Sequence, residues 1–176
     1  MIYVRLLLNA LLAVGRTSIT NTILIDGSNL IYQGGKNGIP RNRDVAAKKL
    51  ENLEANVVIC FDGVSKKQRN LADIGGVNVD ELDRMSTTVE TRGANNLSFV
   101  VTGWEESADD YIVKALKETD TASKVYVVTA DRELRRRARN FRRNVVSVNP
   151  VKFWKKYRPR LSMMKSTYEN NGLQKK

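Results

Sequence analysis

The sequence predicts an α/β fold built on a mostly parallel sheet of five strands. Three observations carry this. Short apolar runs rich in β-branched residues alternate with amphipathic helical patterns along most of the 176-residue chain. Two of the runs, "TILID" and "NVVICFD", end on an aspartate, and a third is followed by one in "VTAD". The net charge of +11 sits in one place, because residues 132–160 hold 12 Lys/Arg and one acid while the remaining 18 bases and 18 acids cancel.

The elements follow in order. "TILID" (22–26) reads as a buried strand and "RDVAAKKLENL" (43–53) as an amphipathic helix, with Val45, Ala46, Lys49, Leu50 and Leu53 near helical spacing. "NVVICFD" (56–62) is a second strand. Residues 63–96 are polar, contain Gly75, Gly76 and Gly93, and read as a long loop with a short helix at "VDELDRM" (79–85). "LSFVVTG" (97–103) is a third strand, followed by a helix at "ADDYIVKALKE" (108–118). "KVYVVTAD" (124–131) is a fourth strand, and "RELRRRARNF" (132–141) is a helix with Leu134, Ala138 and Phe141 inward. "NVVSV" (144–148) is a fifth strand, after which Asn149 caps a helix opening on Pro150, "PVKFWKKY". Phe153 and Trp154 are expected to anchor that last helix. "GGKNG" (34–38) lacks the spacing of a phosphate loop.

One domain is expected over 22–160, with a polar tail at 161–176. Residues 1–21 carry Arg5 and Arg16, several leucines and no acid, which suits an organellar targeting segment, mitochondrial in preference to plastid. A secretory signal is the runner-up and a docked N-terminal helix the plain structural alternative. Without a presequence the expected location is cytoplasmic. No membrane span is expected.

Composition excludes several chemistries. The chain has no histidine, so Ser-His-Asp and Cys-His catalysis and His-based zinc sites are impossible. Its one cysteine, Cys60, cannot form an internal disulfide, reads as a core residue, and gives no reason to expect a disulfide-linked partner. Hydrolysis would have to use carboxylates, metals, lysine or hydroxyls.

Acids gather where such chemistry could occur. In open parallel sheets, sites form at the carboxyl ends of the strands. Asp26 and Asp62 end the first two strands, Glu105, Glu106, Asp109 and Asp110 follow the third, and Asp131 follows the fourth. Two carboxylates about 4 Å apart repel by about 4 kcal/mol at an effective dielectric near 20. Either their pKa values rise or a cation lies between them. Hard oxygen donors favour Mg²⁺ or Mn²⁺, which activate water at a phosphodiester. On this reading Asp26 is a metal ligand supported by Asn29, and the basic segment holds a polyanion. Each acid also has a plainer reading. Asp109, Asp110 and Asp131 suit first turns of helices, Asp26 suits a turn after its strand, and FDG around Asp62 suits a simple turn. Asp80, Glu81 and Asp83 read as a solvated helix face. Trp104 can stack a base or pack in the core.

The stretches "ILIDGSNLI" (23–31), "RDVAAKKL" (43–50), "VVICFDG" (57–63), "EESADDYIVKAL" (105–116) and "VYVVTADRELRRRA" (125–138) together resemble the NYN branch of the PIN-like nuclease superfamily, and most closely its YacP type. The resemblance spans about residues 22–158. It implies a three-layer PIN-like sandwich with strand order 3-2-1-4-5 and metal-dependent endoribonuclease activity that leaves a 5′-phosphate and a 3′-hydroxyl. The family's acidic positions fall on Asp26, Asp109, Asp110 and Asp131. This implies Asp26, Asp109 and Asp131 as ligands of Mg²⁺ or Mn²⁺, Asp110 as a ligand or water-orienting group, and Asn29, Asp62 and Thr129 in support. Contacts to RNA are expected from Arg132, Arg135, Arg136, Arg139, Arg142, Arg143, Lys152, Lys155 and Lys156. Two departures stand out: 63–96 is longer than the family's segment, and Ala130 replaces a frequent serine. The partner would be RNA, single-stranded or within a ribosome or other RNA-protein complex. The alternative is a non-catalytic PIN-like protein built into an organellar ribosome or similar assembly. A DNA nuclease related to flap nucleases is a third reading.

Overall fold

The computed structural model of the protein describes residues 21–35, 37–63, 86–93, 96–120 and 124–161. The expected targeting segment, the helix at 79–85 and nearly all of the expected tail lie outside them. Among the described residues, six strands form one sheet: β1 (Thr22–Asp26), β2 (Asn56–Asp62), β3 (Thr88–Arg92), β4 (Leu97–Thr102), β5 (Val125–Val128) and β6 (Val145–Val148). Their order is β3-β4-β2-β1-β5-β6. The expected five-stranded sheet needs one correction. The predicted strands do lie in the sequence 3-2-1-4-5, as β4-β2-β1-β5-β6, but an added strand flanks them. This strand, β3, lies in the segment expected to be loop and pairs antiparallel with β4, whereas every other pair is parallel.

The helices are α1 (Gly27–Tyr32), α2 (Arg43–Lys48), α3 (Ala108–Glu118), α4 (Arg132–Phe141) and α5 (Pro150–Lys152), the last continuing through a π-helical turn at Phe153–Tyr157. All five have polar N-caps, Asp26 for α1 and four others, of which Asn149 is the one expected as a helix cap. Asn42 accepts from the amides of Asp44 and Val45, Ser107 from Asp110, Asp131 from Glu133 and Leu134, and Asn149 from Val151 and Lys152. The helix expected over 43–53 is shorter, ending at Lys48, and α1 was not expected at all.

The sheet is covered on both faces, which is why its central strands are nearly continuous apolar runs. On one face Ile23, Ile25, Ile59 and Phe61 pack against Leu30 of α1, Ala47 of α2 and Phe153 and Trp154 after α5. On the other, Leu24, Cys60, Val100 and Val127 pack against Ile112 and Leu116 of α3 and Leu134 and Ala138 of α4. Each such aliphatic side chain contributes about 1.5–3 kcal/mol on burial. The result is a three-layer sandwich with β1 at its centre. Among the described residues, no helix is long and apolar enough to cross a membrane.

Candidate active site at the carboxyl edge of the sheet

The site follows from the position of β1. It lies between β2 and β5, and its Asp26 is level with Cys60 of β2. The chain leaves β1 into α1 on one face of the sheet and leaves β5 into α4 on the other. A crevice opens where neighbouring strands send their helices to opposite faces. Asp26 and Asp131, at the starts of those two helices, flank it.

Asp26 is only 6% exposed. Its Oδ1 accepts from the Asn29 amide at 2.9 Å and its Oδ2 from the Thr129 hydroxyl at 2.9 Å. It caps α1, as its plainer reading expects, and it lies among the other acids. Burial pushes its pKa above the ordinary value, the two hydrogen bonds oppose that, and the charges of Asp62 and Asp131 add to the rise. Asn29 turns its side chain across the crevice to accept from the Ala130 amide at 3.1 Å. Thr129 is fully buried, and its hydroxyl also accepts from the Asp131 amide at 3.0 Å. The main-chain role of residue 130 is therefore met by alanine.

The acidic pair at the start of α3 is divided. Asp109 is half-buried, and its pKa rises from 3.8 to about 6, first through burial and then through the charges of Asp26, Asp131 and Asp62. Asp110 is turned elsewhere. Its Oδ1 takes Nη2 of Arg137 at 2.6 Å and its Oδ2 takes the Ser107 hydroxyl at 2.6 Å, which hold its pKa low. Successive helical residues diverge by about 100°, so only one of the two can face the crevice.

Asp62 plays a larger part than its turn-like sequence suggests. Its Oδ1 accepts from the first amide of α3, Ala108, at 3.0 Å, and its Oδ2 accepts from the Ser28 hydroxyl at 3.3 Å. It braces α3 against α1 and so sets where Asp109 stands. Ser28 was missed from sequence. Its one signal is a hydroxyl in the first turn after a strand-end aspartate, which reads equally as helix-start chemistry.

Among the described residues, no group of three or more acidic or thiol side chains is gathered closely enough to hold a metal ion between them. The charge of Asp131 reaches both Asp26 and Asp109, and that of Asp26 reaches Asp109, without the three closing on a common point. That spacing suits Mg²⁺ or Mn²⁺, since such ions take one or two carboxylates and complete their shell with water and phosphate oxygens. Trp104 is part-exposed beside the acidic stretch, while Phe153 and Trp154 are buried as expected.

The basic residues divide between two layers. Arg132 to Arg143 belong to α4 and its exit, on one face of the sheet; Lys152, Lys155 and Lys156 lie beside Phe153 and Trp154, on the other. Several already have partners. Arg135 donates to the carbonyls of Asp131 and Ala130, Arg136 pairs with Glu133, and Arg142 donates to Asn144 and to the carbonyls of Thr119 and Asp120. Lys155 donates to Asn37 at 3.3 Å. Arg132, Arg139, Arg143, Lys152 and Lys156 are exposed.

No family model matches the chain, and no curated protein matches it by sequence. Its architecture is similar to the solved structure of a variant of Rae1 (YacP) from Bacillus subtilis, with a TM-score of 0.54 at 15% identity, over 88% of this chain and 84% of that one. A likeness at that identity is a likeness of fold: the chain has a YacP-like fold.

Proposed function

We propose that the chain is a metal-dependent endoribonuclease whose reaction takes place between β1 and β5. One observation carries this: carboxylates from the ends of β1 and β2 and the starts of α3 and α4 crowd one crevice, where burial and the charges of Asp26, Asp131 and Asp62 raise Asp109 to about 6. Perturbed carboxylates cluster at functional sites, and these gather at the carboxyl edge of the sheet, where open sheets bind ligands, which supports the reading. When bound, Mg²⁺ or Mn²⁺ supplies an activated water and screens charge on the phosphoryl oxygens. Asp26, fixed by Asn29 and Thr129, and Asp109 and Asp131 on the opposite wall would hold the ion, one or two of them directly and the rest through its water shell. RNA is the substrate this reading names, and the targeting-like composition of residues 1–21 supports a mitochondrial setting.

The test is cleavage of an end-labelled single-stranded RNA in Mn²⁺, Mg²⁺ or EDTA, by the native chain and by Asp109→Asn. Cutting is expected only with metal, and the substitution should slow it by about 10²-fold or more. Asp109→Asn is the cleanest variant because it removes repulsion and should leave the fold intact. Binding without cutting under any metal would sink the enzyme reading in favour of a non-catalytic RNA-binding protein.

A further inference from the structure

The solvent face of α4 carries a shallow depression of about 320 Å³ lined by Arg132, Arg135, Arg136, Arg139 and Asn140. Four guanidinium groups line it, with one acid, Glu133, paired to Arg136 on the same helix. Arg132 and Arg139 have no ion-pair partner among the described residues. Arg132 and Arg139 are exposed and hold no neighbouring segment among the described residues. Leu134 and Ala138 bury the opposite face of the helix, and Arg137 and Arg142 reach across to Asp110 and Thr119. The depression begins one residue after Asp131 and extends away from the crevice, about 10 Å along the axis from Arg132 to Arg139 at 1.5 Å per residue. Arg135 links the two places, since its guanidinium folds back onto the carbonyls of Ala130 and Asp131.

Such a surface has no role in holding the bond to be cut. We infer that it is a second anchoring site for RNA, which takes backbone phosphates several nucleotides from the cleaved bond, so that the substrate is an extended RNA and not a short oligonucleotide. The inference rests on the ribonuclease reading for what is cut, but not for what is bound. The chemistry points to phosphate: residues 132–143 contain seven arginines and no lysine, and the guanidinium fork matches phosphate oxygens bidentately. An acidic membrane surface fits less well, because an interfacial helix sets aromatic or aliphatic side chains beside its basic ones and this lining has none.

The test measures binding in EDTA, so it does not depend on cleavage. The full chain is titrated with a long single-stranded RNA and with a trinucleotide across a range of salt. Arg132→Gln/Arg139→Gln is run beside Lys48→Gln/Lys49→Gln, which removes the same charge from exposed positions at the end of α2. The arginine pair should weaken binding of the long RNA about tenfold or more and lower the salt slope by about 2, while the lysine pair changes neither. The unaltered chain should bind the long RNA far more tightly than the trinucleotide. Equal loss in both variants would mean attraction by net charge alone and would overturn the inference. So would length-independent affinity, or an arginine variant that loses phosphatidylserine vesicles but not RNA. If the arginine variant loses RNA while the native chain cuts nothing, the anchoring site stands and the ribonuclease reading falls.

Discussion

Thr129 connects the two walls of the crevice with a single hydroxyl, donating to Asp26 and accepting from the Asp131 amide. Replacing it with valine keeps the volume and removes both bonds, leaving a buried carboxylate oxygen and an amide unpaired. Thr129→Val should cost about 1–3 kcal/mol for each group so exposed, whereas Thr129→Ser should cost much less. Urea unfolding of both variants checks this, and equal losses would show that the methyl group matters and not the hydroxyl. At this scale the sequence was informative about identity and poor about direction. Asp26 and Asn29 could be read from "IDGSN", because a carboxylate at the end of a buried strand needs a partner, and Thr129 came only with the family resemblance. Which acid of the Asp109–Asp110 pair joins the site could not. That choice depends on Arg137, 27 residues away on another helix, and no local pattern reveals it.

The short helix α1 shows what an element can hide. Apolar periodicity needs more than the six residues of Gly27–Tyr32, so "GSNLIY" reads as a turn. Its placement depends on Gly27. A Cβ there would lie 2.6 Å from a ring carbon of Phe61 and 2.7 Å from the Cys60 carbonyl oxygen, both within β2. The glycine is required for close approach and not for an unusual backbone angle. Gly27→Ala should therefore destabilise the chain by about 1–3 kcal/mol and displace the helix that Asp26 caps. A thermal melt and an RNA cleavage assay read the two effects, and a native-like result in both would show that α1 has room to shift. The strand β3 was missed for a different reason. Its TVETR sequence is exposed along most of its length, so no buried face imposes alternation, and its pairing comes from β4. The early end of α2 was hidden because Leu50 and Leu53 stay buried in the turn that follows, which continues the apolar spacing without a helix. The five parallel strands were legible because their runs are short and rich in β-branched residues, and the central ones are buried on both faces.

For the whole molecule, the crowded carboxylates set how stability depends on pH. The Asp109 pKa is raised from 3.8 to about 6, and Asp26 is raised too, so the folded chain holds these protons more tightly than the unfolded one. Stability from this source is fully present below about 3.8 and is lost as the pH rises through about 6. The midpoint of thermal unfolding in EDTA should fall between about pH 4 and about pH 7, by less in Asp109→Asn, and Mg²⁺ should recover it at the upper end. A midpoint that rises over that interval in both proteins would show that the acids do not repel. The segregated charge of residues 132–160 was visible in sequence, but its division between two layers was not, because β6 turns the chain between them. That division has a further consequence. Among the described residues β6 is an edge strand of the sheet, and an open edge can pair with another copy and seed aggregation. With arginines leaving one layer just before it and lysines entering the other just after it, two such edges meet as like charges. The feature that suits the chain to a polyanion also keeps one sheet from extending into the next, and a polyanion that neutralises it removes that protection.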